Sequence, residues 1–93
     1  MLVLSAAGVS YSQDAPYDFR YEFKIVGVTE DASAKMKIDL IRDVMGVKRI
    51  NFDATLDKFI VFSNYGFDVE ELFMKLEMND LDIEGEIMKI EIE

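Results

Sequence analysis

At 93 residues the chain has room for one domain with a two-layer core but not for a second, and an apolar fraction of 51% with seven Phe and four Tyr argues for a folded chain over a disordered one. A formal net charge of −9 repels phosphate backbones and anionic lipid, so the field disfavours nucleic acid and membrane surfaces and attracts basic proteins or hard cations. With neither Cys nor His, the chain has no thiolate nucleophile, no disulfide, no Cys or His zinc site and none of the usual general base.

Residues 1–12, MLVLSAAGVSYS, are apolar or small and uncharged. They are too few to span a bilayer, but they match the apolar region and small-residue cleavage site of a secretory signal, with Ser10 and Ser12 at the small positions. The basic region that opens such signals is missing, so the expectation for residues 1–15 is the end of a signal peptide or a flexible tail. If residues 1–12 are the end of a signal, the protein is exported to the periplasm or outside the cell. The folded domain is expected over residues 16–93.

From Tyr17 to Val26 the chain alternates: Tyr17, Phe19, Tyr21, Phe23 and Ile25 point one way and Asp18, Arg20, Glu22 and Lys24 the other, which predicts a long half-buried strand. Gly27 ends it. A helix is expected from Asp31 or Ala32 to about Met45, capped by Thr29 or Asp31. Ala34, Ile38, Ile41 and Met45 recur on one face, and Gly46 is the stop.

Val47–Phe52 reads as a short strand with Ile50 and Phe52 inward. Lys58–Ser63, KFIVFS, is a strand apolar on both faces. If Phe59 and Val61 face the helices, Ile60 and Phe62 face away. Asp68 and Glu71 form a capping pair ahead of a second helix whose stripe is Val69, Leu72, Phe73 and Leu76. In the last segment the apolar parity switches, from Leu81, Ile83 and Ile87 to Met88, Ile90 and Ile92, which predicts a bulge or a change of exposed face.

The order strand, helix, strand, strand, helix, strand predicts an α+β, ferredoxin-like βαββαβ sandwich: a four-stranded antiparallel sheet with two helices on one face. The first and third strands then lie in the middle, and the last is an edge paired with the first.

The loop Gly27-Val28-Thr29-Glu30-Asp31-Ala32-Ser33, the helix of typical length after it and the pair Gly46-Val47 resemble the heavy-metal-associated domains of copper chaperones and metal-transporting ATPases. That family carries Gly-Met-Thr-Cys-x-x-Cys between its first strand and first helix and a Gly-Val pair at its second strand. The resemblance covers roughly residues 21–84. The family cysteines fall on Glu30 and Ser33, and the loop methionine on Val28. Soft Cu(I) needs thiolates, which a carboxylate and a hydroxyl do not replace, so the copper site the resemblance implies is expected to be absent and no cofactor is expected. The aromatic that many copper chaperones carry near the last strand is replaced by Leu81 after Asp80.

Thr29, Glu30, Asp31 and Ser33 could be the remnant of a metal site with oxygen ligands. Calcium wants six or more oxygens, however, and acids at a helix start are ordinarily explained by its dipole and free N–H groups. The methionines form no spaced cluster; Met36 and Met45 read as helix packing. No serine has a His or motif lysine beside it, and no Gly-rich loop can cradle phosphate, so the chain is expected not to be an enzyme.

The acidic C-terminal segment reads as a solvated face. The sharper expectation concerns Val26, Ile60 and Phe62, apolar residues on the sheet face away from the helices, which suggest a protein partner or a homo-oligomer. The function expected is therefore a small non-catalytic domain acting by protein contact. The alternative is a metal-binding or metal-transport protein using the oxygen ligands of the Glu30–Ser33 loop.

Overall fold

The structure is a computed structural model that describes residues 17–92. Residues 1–15, the expected leader or tail, lie outside the described residues. The elements are β1 (Phe19–Ile25), α1 (Asp31–Met45), β2 (Arg49–Asp53), β3 (Lys58–Ser63), α2 (Val69–Met78) and β4 (Ile83–Glu91). The fold is α+β: two helices and one antiparallel sheet, in which the strands lie in the order β2-β3-β1-β4.

Alternation makes the sheet two-sided. Tyr21, Phe23 and Ile25 of β1 are buried, as are Phe59 and Val61 of β3, with Tyr21 opposite Val61 and Phe23 opposite Phe59. Ala34, Ile41 and Met45 of α1 and Leu72 and Leu76 of α2 join these residues in one core. The opposite parity, with Arg20 against Phe62, Glu22 against Ile60, and Lys24 and Lys58 beyond them, forms the outer face and is only half-buried.

The helix ends follow local chemistry. Gly46 takes a left-handed conformation (φ 68°) and its N–H donates to the Arg42 carbonyl at 2.8 Å, closing α1. At the start of α1 neither Thr29 nor Asp31 is the cap: Glu30 holds that position with extended backbone and its side chain makes no capping bond. The helix begins one residue earlier than an Asp31 cap requires, so the Asp31 carboxylate stands in the first turn, where the dipole favours it. Asp68 does cap α2, its Oδ2 accepting the Glu71 N–H at 3.1 Å.

Two other expectations are corrected. Tyr17 precedes β1 and so escapes its alternation; its ring lies 5.8 Å from that of Phe62, on the outer side. Met36 is 76% exposed and does not pack.

The parity switch in β4 has a specific form. Lys24 pairs with Glu84 and Glu22 with Met88, so four residue steps on β4 answer two on β1, across a bulge containing Gly85 at φ +80°. An insertion of two leaves the alternation intact. Ile83 and Ile87 stay in the core while Met88 and Ile90 fall opposite Glu22 and Arg20 on the outer face. The apolar residues change face because the sequence pattern shifts, not because the bulge turns the strand over.

Candidate functional site

Two places carry candidate residues: the β1–α1 loop and the outer face of the sheet. In the loop, Val28 is buried and its N–H donates to the Ile25 carbonyl at 3.1 Å, so the chain turns back on itself at Gly27. Thr29, Glu30 and Asp31 are exposed. The Ser33 hydroxyl donates to the Glu30 carbonyl at 3.1 Å, which commits it to the helix start. Among the described residues no group of three or more His, Cys, Asp or Glu side chains could hold a metal ion.

The outer face is built in rows across the strands. One row runs Ile90, Arg20, Phe62, Arg49; the next runs Met88, Glu22, Ile60, Asn51. Phe62 is flanked by the Tyr17 ring and by the Arg49 guanidinium, 5.6 Å from its centroid. Glu22 is the hub of the face, with one carboxylate oxygen 3.0 Å from Arg20 Nε and the other 2.9 Å from Lys58 Nζ. Its side chain is 13% exposed, against 33% and 29% for those cations. Arg20 and Glu22 of β1, joined by Lys58 from β3, form a charged strip with Ile60 and Phe62 of β3 on one side and Met88 and Ile90 of β4 on the other.

The structure brings Ile60 and Phe62 together but leaves Val26 apart. Val26 follows β1, is 53% exposed and donates its N–H to the Asp82 carbonyl at 2.9 Å. Ile60 stands opposite Glu22, four residues earlier, so about 13 Å of strand separates the two sites. The role of Glu22 was missed in the sequence. Its only signal was a lone acid between two cations at strand spacing, Arg20 and Lys24, and the partner it finds, Lys58, is supplied by another strand.

A second polar cluster lies at the opposite end of the sheet from Val26. The Tyr21 hydroxyl accepts the Phe67 N–H at 2.6 Å and donates to the Tyr65 carbonyl at 3.1 Å. The Ser63 hydroxyl donates to the same carbonyl and accepts the Tyr65 N–H, at 3.2 and 2.9 Å. Burial lifts the Tyr21 phenol above its ordinary 10.0; the bond from the Phe67 amide draws it back and Tyr65 adds to the rise. These bonds fasten the β3–α2 loop to β1. They leave the Ser63 hydroxyl engaged with backbone on both its donor and acceptor sides.

No helix among the described residues is long and apolar enough to cross a membrane. No family model, no curated protein and no solved structure matches the chain.

Proposed function

We propose that this protein is a non-catalytic binding domain of the heavy-metal-associated kind that has lost its thiolate site and acts by protein contact through the outer face of its sheet. In this reading the α+β fold is a ferredoxin-like sandwich with both helices on the inner face, and residues 1–12 are the end of an export signal. The observation that carries the proposal is Ile60 and Phe62 on the central strand β3, on the side away from the core, with Met88 and Ile90 across the charged strip. Apolar side chains at mid-sheet lose contact with water when a partner covers them, while Arg20, Glu22 and Lys58 offer that partner fixed charges to match.

Support also comes from the loop. Thr29, Glu30 and Asp31 stand in solvent and Ser33 is bonded to backbone, so the positions that carry thiolates in the family carry helix-start chemistry in this chain.

The test is residue-resolved amide NMR of the whole chain as its concentration rises, followed by additions of Cu(I), Zn(II) and Ca(II). The expected result is broadening at Ile60 and Phe62 that Ile60→Asp removes, separate from any at the β4 edge, with Val28 to Ala34 unmoved by metal. Saturable shifts confined to Val28 to Ala34 on metal addition overturn the proposal in favour of an oxygen-ligand metal site.

A further inference from the structure

The sheet has two edges, and they are unequal. β2 offers five residues and β4 nine, and among the described residues nothing pairs with the outer side of β4. The Ile92 N–H donates to the Asp18 carbonyl at 2.9 Å, and Ile90 and Met88 lie opposite Arg20 and Glu22. Alternation then turns the backbone groups of residues 88, 90 and 92 toward β1 and those of Lys89 and Glu91 toward the free edge.

We propose that a second copy of this chain pairs antiparallel with β4 over Met88 to Ile92, about a two-fold axis perpendicular to the sheet at Ile90. Such an axis preserves the faces, so residues of one parity meet their own kind. Ile90 faces Ile90 of the other copy, and Met88 faces Ile92 on both sides of it. On the other face Lys89 stands opposite Glu91, twice. The backbone agrees with this register. Ile90 points its polar groups inward, which suits the non-hydrogen-bonded centre, while Lys89 and Glu91 hold the outward N–H and C=O groups that exchange ladder bonds.

The neighbouring registers are excluded by charge. Moving the axis one residue earlier sets Lys89 against Lys89, and one residue later sets Glu91 against Glu91. Lys89 is the only cation of β4, among Glu84, Glu86 and Glu91, and it lies where this register needs it. The bulge at Gly85 bends the edge before Met88 and limits the ladder to its last residues. Two chains of charge −9 repel each other, but at physiological salt the screening length of about 8 Å leaves the close Lys89–Glu91 pairs the stronger effect.

The inference does not rest on the outer-face reading, because edge pairing leaves Ile60 and Phe62 uncovered. Sedimentation velocity of the whole chain at physiological salt, from dilute to concentrated solution, tests it. A reversible monomer–dimer equilibrium is expected. Glu91→Lys turns two attractive pairs into two repulsive ones and weakens association roughly tenfold or more. Lys89→Glu does the same, and the double variant K89E/E91K restores association. Lys89 Nζ also donates to the Phe67 carbonyl at 3.0 Å and lies 5.0 Å from the Phe19 ring centroid. Circular dichroism therefore accompanies each variant, and Glu91→Lys, which touches neither contact, serves as the cleaner single. Ile60→Asp leaves the dimer intact. A chain that stays monomeric at every concentration, a double variant as weak as the singles, or a dimer abolished by Ile60→Asp overturns the inference; the last outcome assigns association to the outer face instead.

Discussion

The two faces of this sheet are cut from the same strands and answer different demands. On the inner face the buried positions of β1 and β3 are apolar in body: Tyr21, Phe23 and Ile25 against Phe59 and Val61, in one core with buried residues of α1 and α2. On the outer face β1 carries Arg20, Glu22 and Lys24 while β3 carries Ile60 and Phe62, so charge and hydrocarbon alternate from strand to strand. A core tolerates no unmatched charge, because desolvation costs more than the ion pair returns. A face open to water does tolerate it, and the side chains there are free to be chosen for what they meet. The difference teaches that β1 separates its roles by parity, whereas β3 is apolar on both sides and therefore exposes surface that folding alone does not require.

Phe59 and Phe62, the same residue type on the same strand with opposite parity, give the most direct test of that contrast. Phe59 is fully buried, its ring 5.9 Å from Phe23 and 4.9 Å from Phe52, and Phe59→Ala is expected to cost about 3–5 kcal/mol in denaturant unfolding. That is a large part of the whole stability of a domain this size.

Next comes Tyr21→Phe, which keeps the ring but strips the Phe67 N–H of its acceptor; a loss of about 1–3 kcal/mol is expected. The same residue sets a pH dependence. Its folded pKa is raised above the unfolded 10.0, so its contribution is whole below pH 10 and is lost as pH climbs through the raised folded value. Unfolding midpoints measured above pH 10 should fall with pH less steeply in Tyr21→Phe than in the parent chain.

On the outer face, Phe62→Ala is expected to cost about 1 kcal/mol, since the ring is only half-buried between Tyr17 and Arg49. A value equal to that of Phe59→Ala would show that the outer face is closed as tightly as the inner one and would break the comparison. Smallest is Glu22→Gln. Its two ion pairs are partly open to water, so a loss below about 1 kcal/mol is expected, shrinking as salt is added. Loss of several kcal/mol, insensitive to salt, would mean that the charged strip is buried.

Much of this was legible in the chain. The β1 alternation from Phe19 to Ile25, the stripe Ala34, Ile41, Met45, the Asp68 cap and the glycine at position 46 are all local signals, and each element formed where its period and punctuation indicated. Less legible were positions that depend on where an element begins. Tyr17 fits the parity of β1 but lies before it, and the α1 cap passes to Glu30 because of how the chain turns after Gly27. Met36 shows the limit of helical spacing, which marks a stripe but not its width.

The candidate site divides along the same line. Placing Ile60 and Phe62 on the parity opposite the buried Phe59 and Val61 needs only the period of two and the identity of the inward residues. Joining Glu22 to Lys58, seating Phe62 between Tyr17 and Arg49, and separating Val26 from Ile60 all require the register between strands far apart in sequence. By itself the sequence determined the element types, the parity of β1 and β3 and the absence of thiolate and imidazole, because these depend on neighbours along the chain and on composition. Only the tertiary structure decided which side chains meet across the sheet and that the bulge at Gly85 keeps the alternation of β4. Those contacts are set by the pairing of strands dozens of residues apart, where a shift of one residue moves every side chain to the other face.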